Sequence, residues 1–158
     1  MGSNIKISNE LEKYINNHSH KLHPIQKEII KYNETLGEKK KMQISLSQCH
    51  FLHLIIKIYN PDRILEIGTF TGLSALTMGL AMNKNSNLIA LDKNKQTSEV
   101  AKNFFYKANL EKKINLLIKN ANEGLDELFQ NKQVFDFVFI DADKENYINY
   151  FEKSLKVL

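Results

Sequence analysis

Cysteine and arginine occur once each in these 158 residues, and long apolar runs do not occur at all. A lone Cys49 excludes an intramolecular disulfide and fits a reducing, cytoplasmic setting. No stretch approaches the ~20 apolar residues of a membrane-spanning helix, and the N-terminus has no signal-peptide core, so a cytoplasmic protein without a membrane partner is expected. With Arg63 as the only arginine, the net charge of +4 and the pI of about 9.0 come almost wholly from lysine. The one basic cluster, Lys39-Lys40-Lys41, reads first as a solvated loop before a helix; a nucleic-acid surface is the alternative, and no interleaved aromatic residues support it. His18, His20 and His23 lack cysteine partners and a helical register, which argues against zinc. Repeats, low-complexity segments and composition breaks are missing as well. Residues 1–158 are therefore read as one domain, with a helical segment over 1–60 and an α/β core over 61–158.

What is present is a globular composition, 42% hydrophobic and 25% charged, in a chain able to bury roughly two-thirds of its unfolded surface. Helices are expected over about 8–17 (capped by Ser8 or Asn9, with Leu11, Tyr14 and Ile15 on one face), from Pro24, over 46–59 and over 95–108. The helix at 95–108 should turn Val100, Ala101, Phe104 and Phe105 inward. A short helix should open at Asn120-Ala121 and a last one run from about Glu145 to the end. Apolar runs at 63–68, 88–92, 114–118 and 134–140 predict strands. Strand alternates with helix four times, so the fold class is α/β, a Rossmann-like doubly wound parallel sheet behind N-terminal helices. Phe51, Ile64, Ile67, Leu76, Ile89, Val138 and Ile140 are expected in one core, with the strand residues alternating between sheet faces.

The chain is organised around Glu66-Ile-Gly68-Thr-Phe-Thr-Gly72-Leu-Ser74, a strand end, a tight turn and a helix start. Gly68 would let the backbone approach a ligand, and Gly72 would let strand and helix pack closely. Two glycines at this spacing also occur in turns that serve packing alone. Glu66 and the absence of a third glycine argue against a dinucleotide phosphate loop, since a carboxylate suits a cationic ligand such as an ammonium or a sulfonium. Three of the four strand tips carry acid, at Glu66, Asp92 and Asp141-Ala142-Asp143. Acids that merely cap the following helices are the alternative for any one of them. Asp92 is placed to accept ribose hydroxyls, a device that NAD-binding proteins share.

The motif around Gly68 and the segment Asp141-Ala-Asp-Lys-Glu-Asn-Tyr147 closely resemble those of S-adenosylmethionine-dependent O-methyltransferases of the catechol and caffeoyl-CoA type (class I methyltransferases). The resemblance covers about residues 8–158. It implies S-adenosylmethionine as cofactor, with Met42, Ile44, Glu66, Gly68, Ser74, Asp92, Ala121 and Asp143 bordering it. Glu66 and Gly68 would lie near its methionine part, Ser74 near its carboxylate, Asp92 at the ribose, Ala121 at the adenine and Asp143 at the amine. Asp141 would ligate a divalent cation, Mg2+ first, with Ca2+ or Mn2+ as alternatives, and Lys144 would act as general base. Ile44 stands where plant relatives often carry threonine.

The resemblance further implies methyl transfer to a small catechol-like phenol by a homodimer. A tRNA hydroxyuridine substrate and a non-catalytic module that binds cofactor or dimerises are the alternatives. Family members continue through three more strands and an Asp-Asn pair that completes the metal site. On that comparison the sequence holds only the first four strands and one of three protein metal ligands. Its fourth strand would then be an apolar edge prone to self-association.

Overall fold

Strand β1 (Arg63–Ile67) is apolar on both faces, and Ile64, Leu65 and Ile67 are all fully buried, as an interior strand of a parallel sheet requires. The computed structural model describes residues 8–158. In it β1 sits inside a parallel sheet with β2 (Asn87–Asp92), β3 (Ile114–Ile118) and β4 (Phe137–Ile140), in the order β3-β2-β1-β4. The chain steps outward from β1 to β2 to β3, then returns to place β4 on the other side of β1. Strand order therefore reverses between β1 and β4. Ile67 pairs with both Leu91 and Ile140, so the carboxyl ends of the three strands lie level.

Helices cover both sheet faces. On one side Ile64, Leu88, Ala90 and Ile114 pack against α2 (Pro24–Glu34), α3 (Leu46–Tyr59), α4 (Leu73–Ala81) and α5 (Lys95–Lys107). On the other, Leu65, Ile67 and Leu91 pack against α6 (Ala121–Gln130) and α7 (Tyr147–Ser154), together with Phe135 and Val157. Local chemistry sets the helix starts. Ser45 with Gln48, and His23 with Gln26, each form a reciprocal capping box, the second with Pro24 in the first turn. Asn94 and Asn120 cap α5 and α6 with their side chains. Ser8, not Asn9, caps α1 (Asn9–His18). No helix among the described residues is long and apolar enough to cross a membrane.

Several expectations change. The core is not single: Ile64 and Leu76 belong to one side of the sheet, and Ile67, Ile89, Val138 and Ile140 to the other. The alternation along β1 holds. Phe51 lies outside both cores at 64% exposure, because α3 turns Cys49, Leu52 and Ile56 inward and Phe51, Leu54 and Ile58 outward. No residue of α1 is buried, so its Leu11–Tyr14 face covers little. The lysine cluster sits in a 3-10 helix, Gly37–Met42, not in an irregular loop. Strand β4 begins at Phe137 because residues 134–136 approach β1 from below: Asp136 spends its carboxylate on the Asp62 and Arg63 amides. The last helix is preceded by a 3-10 turn, Lys144–Asn146, and ends at Ser154.

Gly68 and Gly72 both have left-handed backbones, with φ of 89° and 91°. A Cβ on Gly68 would stand 2.2 Å from the carbonyl oxygen of Asp141, and one on Gly72 would stand 2.7 Å from the Phe105 ring. The close approach that the structure shows at Gly68 is to the β4 tip. The one at Gly72 is between α4 and α5 rather than between strand and helix.

Candidate functional site

Backbone hydrogen bonds draw the strand tips together. The Gly68 amide donates to the Leu91 carbonyl at 2.9 Å, and the Asp141 amide donates to the Ile67 carbonyl at 2.9 Å. A cavity of about 560 Å³ opens above them, a volume in the range of small-molecule sites. It lies where the strand order reverses, the place at which open parallel sheets bind ligands. Met42, Ile44, Gly68, Ser74, Asp92 and Ala121 line it, joined by Asp141, Asp143 and Lys144 from the β4 side. Of the residues expected at the site, only Glu66 is not on its wall.

Glu66 is fully buried one layer behind. The Thr69 hydroxyl donates to its Oε2 at 2.7 Å, and Oε1 has no partner. Burial pushes its carboxyl up to about 7, against the pull of the Ser74 and Thr69 hydroxyls. Thr69 also lines the cavity, so Glu66 is linked to it through the Thr69 hydroxyl.

Asp92 is fastened to the turn. Its Oδ2 accepts the amides of Thr69 at 3.0 Å and Phe70 at 2.8 Å, while Oδ1 accepts the Asn94 amide at 2.8 Å. These bonds hold Phe70 in a left-handed conformation, φ 53°, that a bulky residue seldom adopts. With Oδ2 filled by two donors, Oδ1 keeps one free lone pair toward the cavity.

At the tip of β4, two carboxylates have different company. Asp143 accepts from the Asn146 side chain and from the Tyr150 hydroxyl, and these two bonds hold it below the usual carboxylate range. Asp141 is paired with Lys144 at 3.3 Å. Lys144 also donates to the Tyr147 hydroxyl at 2.6 Å, and that bond raises its pKa. Lys144 is accordingly a cation in this arrangement. Tyr147 donates in turn to the Ile140 carbonyl at 3.2 Å.

The sequence is matched over residues 16–158 by a family model described as O-methyltransferase. This chain belongs to the O-methyltransferase family. It is 38% identical over 157 residues to a Dictyostelium discoideum protein named "Probable caffeoyl-CoA O-methyltransferase 3", covering 98% of this chain and 62% of that one. It is 36% identical to a caffeoyl-CoA O-methyltransferase of Populus kitakamiensis over 77% of this chain and 53% of that one. The chain thus spans about three-fifths of the length of these relatives. Among solved structures, the O-methyltransferase from Bacillus cereus in complex with SAH superposes with a TM-score of 0.86 at 27% identity, over 94% of this chain and 67% of that one. The four-stranded parallel sheet and its flanking helices are those of a class I methyltransferase.

The residues present fit a cationic nucleoside better than they fit a metal. Glu66 leaves an orphaned buried oxygen behind the wall, and Asp143 is an oriented carboxylate on it. For a divalent cation, Asp141 is one ligand, already engaged by Lys144. No group of three or more His, Cys, Asp or Glu among the described residues converges as a metal site would. Tyr150, Asn146 and Asn94 are site residues that the sequence reading missed. Only the Asp92-x-Asn94 spacing, typical of a side chain bonding its own backbone two residues on, signalled one of them.

Proposed function

We propose that this chain carries the cofactor half of an S-adenosylmethionine-dependent O-methyltransferase that acts on a hydroxyl of a small, catechol-like phenol. The observation that carries the reading is the pairing of Asp92 and Asp143 on one cavity at the switch point of the sheet. One carboxylate has a lone pair for a ribose hydroxyl; the other is held charged for an ammonium. The family match and the SAH named with the Bacillus cereus structure support the same assignment. In this reading Met42, Ile44 and Ala121 give the apolar walls, Ala121 beside the adenine. Ser74 takes the carboxylate and Gly68 borders the methionine part, with Glu66 behind.

S-adenosylmethionine supplies a methyl group made electrophilic by its sulfonium. The chain's part is to bind and orient. An acceptor hydroxyl beside the Lys144 ammonium would have its pKa lowered by that charge; its proton would pass to solvent water, and its oxygen would attack the methyl carbon in line as the carbon–sulfur bond breaks to leave the thioether. Lys144, held by its bonds to Tyr147 and Asp141, would supply that charge, and in its free-amine form it would be the general base. A divalent cation would find one carboxylate ligand in Asp141 and would fill its other positions with water. Holding the acceptor within reach of the methyl group is the larger effect, for which ~7–11 kcal/mol is the upper range.

Calorimetry with S-adenosylhomocysteine on the 158-residue chain tests the reading. Saturable binding that is weakened several-fold in Asp92→Asn is expected. A flat titration of the folded wild-type chain would remove the cofactor assignment.

A further inference from the structure

We propose that Tyr150 and Asn146 are positioning residues: they fix the Asp143 carboxylate so that the pocket selects a nucleoside bearing an amino-acid ammonium over one that lacks it. This rests on the cofactor reading above and adds the specificity device.

Asp143 receives one donor on each oxygen. The Tyr150 hydroxyl donates to Oδ1 at 2.8 Å and the Asn146 amide donates to Oδ2. A carboxylate gripped at both ends cannot rotate, yet each oxygen keeps a lone pair for a third group. Its neighbour Asp141 is partnered by Lys144, whereas no lysine or arginine among the described residues pairs with Asp143. Lys93 on the same wall acts on Asp143 only from a distance, so a half-buried, oriented carboxylate is left with no cation in contact, and a cationic ligand can take that place.

The positioning is anchored in the core. Tyr150 is only 3% exposed and packs in the cluster of Leu65, Ile67 and Leu125 behind the sheet. Its hydroxyl reaches the cavity, which the residue also lines. Burial and Asp143 together push that hydroxyl up to about 12, so it remains a donor through the physiological range. The rigid second core thereby sets where the negative charge stands, and the Asn146 side chain in the 3-10 turn completes the grip.

Two ligands separate this role from simple packing. S-adenosylhomocysteine carries the ammonium; 5′-methylthioadenosine keeps the nucleoside and thioether but has no amino-acid portion. Calorimetry on the full chain should show wild type binding the first more tightly. Tyr150→Phe and Asn146→Ala should each weaken it about fivefold to tenfold while leaving 5′-methylthioadenosine within about twofold. Equal loss for both ligands would make Tyr150 a packing residue, and no loss for either would leave Asp143 ungoverned by it; both results overturn the inference. Wild type binding the two ligands equally would overturn it too while leaving the cofactor reading intact. A folded wild type that binds neither takes down the cofactor reading and this inference with it. If Tyr150→Phe melts at the working temperature, Asn146→Ala, outside both cores, decides by the same comparison.

Discussion

Asp92 holds the amide of Phe70 at 2.8 Å with the same oxygen, Oδ2, that holds the amide of Thr69. The acid expected to serve a ligand therefore also ties down the turn that lines the cavity. Removing it should destabilise the empty protein. Asp92→Ala leaves three amides, those of Thr69, Phe70 and Asn94, without their charged acceptor and should lower the unfolding free energy by ~1–3 kcal/mol in urea titrations without ligand. An unchanged midpoint would mean that the turn holds itself.

Gly68 and Gly37 offer a matched pair. Both have positive φ, but a Cβ at Gly37 meets nothing within 4 Å, whereas one at Gly68 collides with the Asp141 carbonyl. Gly37→Ala should cost about 1 kcal/mol, the conformational penalty alone. Gly68→Ala should cost at least ~2 kcal/mol more, because β1 and β4 must part at their tips. Equal denaturation midpoints for the two variants would contradict the contact.

Glu66 makes stability depend on pH. Its folded pKa, about 7, stands above the ordinary 4.5, so the native state binds the extra proton. This contribution is fully present below about pH 4.5 and is lost as pH rises through 7, to a total of up to ~3 kcal/mol. Glu66→Gln, which cannot titrate, should be the more stable protein at pH 8 and should lose the wild type's decline between pH 5 and 8. Parallel stability curves for the two proteins over that range would show that Glu66 does not titrate there.

Ile67 and Phe51 test the packing. Ile67 is fully buried between β1 and the α6–α7 layer, and Ile67→Ala should cost ~2–5 kcal/mol. Phe51→Ala, on the outer face of α3, should change stability by less than ~0.5 kcal/mol. A large loss at Phe51 in dilute solution would mean that something covers that face.

The elements legible in the sequence were those whose ends carry their own chemistry. Ser45 with Gln48 opens α3 and Asn60 closes it at φ 56°, so the range 46–59 follows from local residues. The run 114–118 between polar neighbours behaves likewise. Val134 and Phe135 are apolar and so predict strand, yet what stops the ladder below Phe137 is Asp136 bonding to β1, a contact across 73 positions. The sequence misplaces Phe51 because α3 is apolar nearly all round, and its packing on α4 decides which face is inward. In the site, the acids at strand tips could be read off the sequence. Their partners could not: Tyr150 differs from other tyrosines only in where α7 carries it.

The crossing of β4 over Gly68 has a consequence for the order of folding. Strands β1, β2 and β3 are neighbours both in sequence and in the sheet, so they can pair as the chain emerges. β4 must instead return to β1 from far along the chain, and long-range closures of this kind come late. Asp141 and Asp143 arrive with it. In the proposed reading a nucleoside would find no complete site on a partly assembled sheet, and its binding would stabilise only the chain that has made the last closure.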